Sequence, residues 1–194
     1  MNRIFCFFLS LLMLYACFQT ITTVTMKHGS TETTYYVSSL QYIKGCFMTD
    51  EMYAEEKAAL DTAASEIKDS SERERYLANN RGALVIYEVK LLNEESNSLS
   101  GKMLLLFIML LIEMFTVIGL MTFTFIGIFV ERFSKVNVFI SSIAILTGVL
   151  CSIASVTWNT ISSSYTVAFG VSTIFFVLYP ILVLIFSATN KKES

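Results

Sequence analysis

Glu113 carries the sharpest chemical implication, because it is the one charged side chain inside the four long apolar segments of the chain. Ionisable groups at membrane depth are rare and costly, and they tend to face a cavity or a partner. A carboxyl group there can bind a cation, relay protons or dock a basic group of another subunit. A purely structural role is the alternative. Glu113 would then lie near the outer headgroups or pack against neighbouring helices.

Four cysteines are the next candidates, at positions 6, 17, 46 and 151. Cys6, Cys17 and Cys151 fall in apolar segments, so Cys46 alone is expected in an oxidising compartment. A single exterior cysteine cannot form an intrachain bridge within its loop. Cys46 is therefore either a buried thiol or half of an intermolecular disulfide.

Signatures of catalysis and cofactor binding are missing from the sequence. His28 is the only histidine, which excludes histidine-cluster metal sites, and there is no Cys-x-x-Cys, P-loop, Gly-x-Ser-x-Gly or Gly-x-Gly-x-x-Gly pattern. The pairs Glu55-Glu56 and Glu94-Glu95 are most simply solvated faces. We therefore predict a protein that is not an enzyme and has no cofactor, no metal site and no nucleic-acid partner.

Small residues recur with a spacing of four in the third apolar segment, where Ala144, Gly148 and Ser152 form a ridge. Such a ridge lets two helix backbones approach closely in a membrane. Gly119 and Gly127, eight residues apart in the second segment, are the candidate facing groove. The pattern predicts tight helix packing, either within one bundle or between protomers.

Composition places these residues in a membrane protein. The chain has 194 residues, of which 54% are hydrophobic and 15% charged, and its mean hydropathy is +0.61. Soluble domains average about 45–50% apolar and about 25% charged residues. Residues 25–102 carry 13 of the 16 acidic and 9 of the 14 basic residues, a balance of −4. We therefore expect one solvated region and one membrane-embedded region.

Four segments are long enough to cross a bilayer, whose core of about 30 Å takes about 20 apolar helical residues. They are Ile4–Met26, Met103–Val130, Asn137–Trp158 and Tyr165–Ala188. The first also resembles a secretory signal peptide, with Arg3 before an apolar run and small residues after it. We expect a retained helix, because the apolar run continues to Met26, and cleavage is the alternative.

Lysine and arginine in the short flanks predict the orientation of the spans. Three segments that a four-helix topology puts on one side contain basic residues, namely Arg3, Arg132, Lys135, Lys191 and Lys192. Residues 159–164, on the opposite side, carry no charge. We expect an integral protein of the plasma membrane, with both termini cytoplasmic and residues 27–102 extracellular or lumenal.

Residues 27–102 are predicted to fold as a small α+β domain. Segments 33–43 and 83–92 are rich in β-branched and aromatic residues and predict strands. Thr49, followed by two acidic residues, is the predicted N-cap of a helix to about residue 68. Ser70 or Ser71 is the predicted cap of a second short helix through residue 77. The two strands either form the core of this domain or offer an edge that recruits another chain.

Four spans, both ends inside, a long first exterior loop and a short second one resemble the claudin, peripheral-myelin and amastin-like tetraspan architecture. The resemblance covers the whole chain as topology and implies a small β-containing cap on a left-handed four-helix bundle. The signature residues of those families are absent, since the loop has no tryptophan and Cys46 is its one cysteine. No functional residue is therefore carried over to this chain.

The sequence thus predicts a membrane α-helical fold, a four-transmembrane helix bundle with a small α+β extracellular cap between helices 1 and 2. Its expected parts are helix 1 over residues 1–26, the extracellular domain over 27–102 and three further helices over 103–194. We expect a non-enzymatic structural, adhesion or assembly subunit that contacts membrane lipids and works as a homo-oligomer or within a larger complex. The alternative is a pore-forming or auxiliary subunit of a channel or transport complex, with Glu113 near the pathway.

Overall fold

The computed structural model describes residues 2–28, 31–96, 100–130, 134–157, 165–169 and 171–189. Over these residues the chain forms eight α-helices, three β-strands and one 3-10 helix. In chain order they are α1 (Asn2–Ala16), β1 (Thr20–His28), β2 (Thr31–Ser38), α2 (Ser39–Phe47), α3 (Asp50–Glu66), α4 (Ser70–Asn80), α5 (Gly82–Ser96), α6 (Ser100–Phe129), α7 (Ser134–Thr157), β3 (Tyr165–Phe169), the 3-10 helix (Val171–Ile174) and α8 (Phe175–Thr189).

The chain divides into two compact units. We name them the helical unit (residues 1–19, 108–153 and 171–194) and the sheet-containing unit (residues 20–107 and 154–170). The helical unit contains α1, the 3-10 helix, α8 and the larger parts of α6 and α7. The sheet-containing unit contains the three strands, α2 to α5 and the start of α6.

The helices of the helical unit differ in length. Helices α6 and α7 contain the stretches Met103–Phe129 and Lys135–Ile153, which are long and apolar enough to cross a membrane. Helices α1 and α8 are also apolar but have 15 residues each, about 22 Å at 1.5 Å per residue. These two short helices pack on each other, and Phe5 meets Phe186 edge-on with ring centroids 4.9 Å apart.

The three strands form one antiparallel sheet in the order β2-β1-β3. Val24 in the central strand lies opposite Tyr35 of β2 on one side and opposite Val167 of β3 on the other. Thr22, Val24 and Met26 are buried, whereas the residues between them are half-buried. This alternation is the period of two that a strand shows when one face packs against a core.

Helix α5 is the centre of the sheet-containing unit. Residues 82–87 are all buried, and α2 packs closely along them, since a Cβ atom on Gly45 would lie 2.5 Å from the carbonyl oxygen of Ala83. A hydrophobic core joins residues from three parts of the unit: Met48, Leu60, Ala83, Leu84 and Tyr87. Helix α3 buries only Leu60 and Ala64, and α4 buries none of its residues, so these two helices are the outer layer.

The two helices predicted after residue 48 are confirmed. Thr49 is the N-cap of α3, and its hydroxyl accepts a hydrogen bond from the backbone N–H of Met52 at 3.3 Å. The predicted short helix is α4, which is capped by Asp69 rather than by Ser70 or Ser71. The Asp69 carboxylate accepts hydrogen bonds from the backbone N–H groups of Ser71 and Glu72.

The two predicted strands of this region need correction. Segment 83–92 is not a strand but part of α5. Its residues 83–87 are all buried, so apolar side chains occupy successive positions and do not show the period of an amphipathic helix. Segment 33–43 is a strand only to Ser38, where a capping box between Ser38 and Gln41 starts α2.

The second and third predicted spans correspond to α6 and α7, which contain stretches long and apolar enough to cross a membrane. The first and fourth predicted spans are wrong as continuous helices. Over residues 4–26, α1 ends at Ala16 and β1 begins at Thr20. Over residues 165–188, β3 and the 3-10 helix precede α8. Both misread segments are rich in threonine, valine and aromatic residues, which favour a strand once a neighbouring strand is available. The predicted domain boundary at residue 27 therefore lies inside β1.

Gly45→Ala is expected to destabilise the sheet-containing unit by about 1–3 kcal/mol, because the added methyl group forces α2 away from the Ala83 carbonyl group. The measurement is the free energy of unfolding of the purified full chain, followed by circular dichroism. Ser65→Ala on the exposed face of α3 is the control and should change stability by less than about 0.5 kcal/mol. Equal stability of Gly45→Ala and wild type would contradict the packing described for α2 and α5.

Candidate functional site

Glu113 lies at the centre of the polar interior of the helical unit. Its side chain is 1% exposed, and Oε2 shares a hydrogen bond with the hydroxyl group of Thr147 on α7. Among the residues that the structure describes, Oε1 has no hydrogen-bond partner. The carboxyl group is close enough to the thiols of Cys17 and Cys151 to interact with them electrostatically. Glu113 therefore faces other helices of its own unit.

The hydrogen-bond geometry accommodates Glu113 in either protonation state. Oγ1 of Thr147 lies 3.0 Å from the carbonyl oxygen of Ile143 and 3.1 Å from that of Ala144. A protonated Glu113 can donate to Thr147 while Thr147 donates to one of these carbonyl groups, and an ionised Glu113 accepts the Thr147 proton instead. Within the described ranges no basic side chain forms an ion pair with Glu113. Hydrogen bonding rather than charge pairing holds this carboxyl group.

Two further polar contacts link the helices of this unit. Ser10 of α1 and Thr124 of α6 are both buried, and their hydroxyl oxygens are 3.0 Å apart. Cys6 of α1 contacts Ser187 of α8, with 3.7 Å between sulfur and oxygen. Together with the Glu113 contact, these pairs connect α1 to α6, α1 to α8 and α6 to α7. In an apolar setting such pairs fix which helix faces meet.

The predicted small-residue ridge lies at close helix contacts. A Cβ atom on Gly148 would be 2.5 Å from the carbonyl oxygen of Phe176, so α7 and α8 touch through their backbones here. Ala144 is fully buried, and the hydroxyl group of Ser152 donates to the carbonyl oxygen of Gly148 at 2.9 Å.

The two glycines expected to form the facing groove have other surroundings. A Cβ atom on Gly119 would meet Ile140 of α7 at 3.7 Å, which is ordinary van der Waals distance. Gly127 is buried. The backbone that approaches the Gly148 position thus belongs to α8 and not to the predicted groove on α6.

A second polar cluster, which the sequence analysis did not find, lies in the sheet-containing unit. The Glu88 carboxylate accepts hydrogen bonds from the Tyr53 hydroxyl group at 2.7 Å and from the Arg81 guanidinium at 2.8 Å. Arg81 also lies over the ring of Tyr35, 5.6 Å from its centroid. Burial, together with the hydrogen bond to Glu88, raises the pKa of Tyr53 to about 12. The cluster ties α3 and β2 to α5 and is best explained as a structural network.

Cys46, the candidate for an intermolecular disulfide, is half-buried at the end of α2 and has a free thiol. Burial raises the pKa of its thiol to about 11, and the charge of Lys90 offsets this in part. The Lys90 ammonium group donates to the carbonyl oxygen of Cys46 at 3.5 Å. A disulfide to a second chain stays a prediction.

No metal site is found among the residues that the structure describes, since no three His, Cys, Asp or Glu side chains are grouped to hold an ion. Of the residues that predicted the orientation, Arg132, Lys191 and Lys192 lie outside the described ranges, as does Trp158. No protein-family model, no curated protein and no solved structure gives a significant match to the chain. Function is therefore argued from the two clusters and from the surfaces of the units.

Gly148→Ala should destabilise the helical unit by about 1–3 kcal/mol, because its methyl group has no space beside the Phe176 carbonyl group. Gly119→Ala is the matched control, since its methyl group reaches Ile140 at ordinary contact distance. We would compare the thermal unfolding of both variants in the same detergent. Equal losses of stability, or no loss in Gly148→Ala, would contradict the close approach of α7 and α8.

Alkylation of Cys46 should show the raised pKa of its thiol, because only the thiolate reacts. The rate should rise about tenfold per pH unit and continue to rise beyond the ordinary thiol value. The measurement is iodoacetamide labelling of the folded protein, with the Cys46 peptide quantified by mass spectrometry and Cys46→Ser as the blank. A rate that levels off near pH 9.0 would mean that the thiol is not buried as described.

Proposed function

We propose that the protein is a non-enzymatic membrane protein that serves as a structural or assembly subunit. The observation that carries this proposal is the use of polar groups inside the helical unit. Ser10 bonds to Thr124, Glu113 bonds to Thr147, and Gly148 admits the backbone of α8. These contacts hold helices to one another, and within the described residues no group of side chains that could hold a metal ion is found.

We further propose that all four helices of the helical unit lie in the bilayer. Helices α6 and α7 have the length and composition for this. The 3-10 helix and α8 together give about 30 Å of helix, which matches the hydrocarbon core of about 30 Å. Helix α1 is shorter, and a short helix is accommodated by local thinning of the bilayer or by packing against its neighbours. The basic flanks support cytoplasmic termini, with residues 27–102 on the other side of a plasma membrane.

Helix α3 is the surface that we propose for contacts with a partner. It buries two of its 17 residues, and its exposed positions include Glu51, Glu55 and Asp61. Glu56 is already paired with Lys44 at 2.6 Å. The neighbouring helix α4 alternates acidic and basic residues over 72–75 and has no such excess. An acidic, mostly exposed helix suits a polar protein partner with basic side chains, either a second copy of the chain or another subunit.

Glu55→Lys should weaken assembly without unfolding the protein, because it reverses an exposed charge at the centre of this acidic surface. Glu74→Lys on α4 makes the same change in net charge and is the matched control. The tagged protein would be extracted from its native membrane in mild detergent, and the mass and composition of the particles determined with and without reductant. We expect a stable oligomer or complex for wild type and Glu74→Lys, and a smaller particle for Glu55→Lys. A monomer for wild type would contradict the proposal.

A transport role is the second candidate, and it is favoured because Oε1 of Glu113 has no hydrogen-bond partner within the part of the chain that the structure describes. A buried carboxyl group with a free acceptor can take part in proton or cation movement. Its enclosure, with 1% of the side chain exposed, favours the structural role instead. This role would make the protein a pore-forming or auxiliary subunit of a channel or transport complex.

Glu113→Gln separates the two roles, because glutamine keeps the size and the hydrogen bond to Thr147 but cannot ionise. For the structural role we expect unchanged assembly, and a change in unfolding free energy of less than about 1 kcal/mol. We also expect no difference in ion or proton flux between vesicles that contain wild type and those that contain Glu113→Gln. A flux in wild-type vesicles that Glu113→Gln abolishes would replace the structural proposal by the transport one.

A further inference from the structure

Helix α2 ends in an aromatic residue that the protein itself does not cover. Phe47 is 62% exposed. Its ring packs edge-on against Phe107 of α6, with centroids 4.9 Å apart. Phe107 lies within Met103–Phe129, the stretch of α6 that is long and apolar enough to cross a membrane. Phe47 is thus held beside an apolar stretch while most of its own surface is free.

A second contact fixes α2 along the beginning of the same stretch. Tyr42 is fully buried, and its hydroxyl group donates to the carbonyl oxygen of Met103 at 3.3 Å. Burial raises the pKa of Tyr42 well above its usual range. The two contacts on α6 are one helical turn apart, so α2 runs beside the first turn of the apolar stretch.

The surroundings of Phe47 are apolar and exposed as well. Leu104 and Leu105, in the same turn of α6, are 55% and 48% exposed. The hydrogen bond from Lys90 to the carbonyl group of Cys46 brings this part of α5 to the end of α2, and the next two residues, Leu91 and Leu92, are 42% and 37% exposed. We name Phe47, Leu91, Leu92, Leu104 and Leu105 the α2 patch. A group of exposed apolar side chains on neighbouring helices is typical of an interaction site.

The length of α6 indicates what covers the α2 patch. Met103–Phe129 has 27 residues, about 40 Å of helix, whereas the hydrocarbon core takes about 30 Å. A surplus of about 10 Å places one end of this stretch among the lipid headgroups. Side chains beside the first turn of the stretch then reach the boundary between headgroups and acyl chains, the depth of about 5–10 Å at which interfacial helices bury their apolar face.

We propose that α2 is an interfacial helix whose α2 patch inserts into the outer leaflet of the bilayer, with lipid rather than protein as its partner. The inference rests on the proposed membrane location of α6. It adds a second point of lipid contact to the sheet-containing unit, besides α6 itself. Helix α3, which has the proposed partner-binding surface, does not contribute to the α2 patch.

The test uses tryptophan fluorescence. Trp158 is the only tryptophan, so the Trp158→Phe variant has no tryptophan emission of its own. Phe47→Trp in that background would be reconstituted into phosphatidylcholine vesicles with and without brominated acyl chains. We expect bromine to quench roughly half or more of the emission, and aqueous acrylamide to quench little of it. The matched control is Met52→Trp on α3, where the native side chain is 40% exposed. There we expect the opposite pattern.

A third variant separates this inference from the proposed membrane location. Phe115 in the middle of α6 is 72% exposed, so Phe115→Trp reports whether α6 itself is in the bilayer. Quenching by bromolipid in Phe115→Trp but not in Phe47→Trp would overturn the interfacial helix alone. Absence of quenching in both would overturn the membrane location. A Phe47→Trp emission insensitive to both quenchers would mean that protein covers the patch, and would also contradict the inference.

Discussion

Apolar helices give one another few directional contacts, so the arrangement of the helical unit depends on the few places where polar or backbone atoms meet. The closest is at Gly148, where the carbonyl group of Phe176 occupies the space that a side chain would fill. The pairs Ser10–Thr124 and Glu113–Thr147 add hydrogen bonds with defined partners. Leucine and isoleucine make the remaining contacts, but helices that pack only through such side chains can shift against each other with little loss of stability. Register and orientation therefore follow from a handful of small and polar residues.

The sequence predicts local structure well where a single rule decides it. The helix cap at Thr49 and the long apolar run of residues 103–129 each indicate a single type of structure. Helices α3 and α6 are found as expected. Prediction fails where tertiary partners decide. The Thr-rich segment after Ala16 continues the apolarity of α1 but pairs as β1 because β2 and β3 lie beside it. Segment 83–92 has strand composition but forms a helix, because its residues 83–87 are buried against α2 and the core of the unit.

The candidate sites show the same division. Glu113 stands out in the sequence because charge is rare in an apolar segment, but its partner Thr147, 34 positions away, has no sequence signal. The network of Tyr53, Arg81 and Glu88 escapes sequence analysis for a different reason, since charged and aromatic residues are common in a solvated domain. Exposed hydrophobic residues such as Phe47 are likewise unremarkable until the structure shows that they lie beside a helix long and apolar enough to cross a membrane. Function is thus inferred from which residues lie close together in space, and only the fold shows this.

The central claim is that α1 and α8 join α6 and α7 in one membrane-embedded helical unit, and hydrogen–deuterium exchange of the protein in lipid nanodiscs tests it most directly. We expect slow amide exchange for all four helices, because lipid and neighbouring helices exclude water. Helix α4, which buries none of its residues, should exchange much faster and provides the internal reference. Exchange of α1 and α8 as fast as that of α4 would contradict the claim, since these two short helices would then lie outside the bundle.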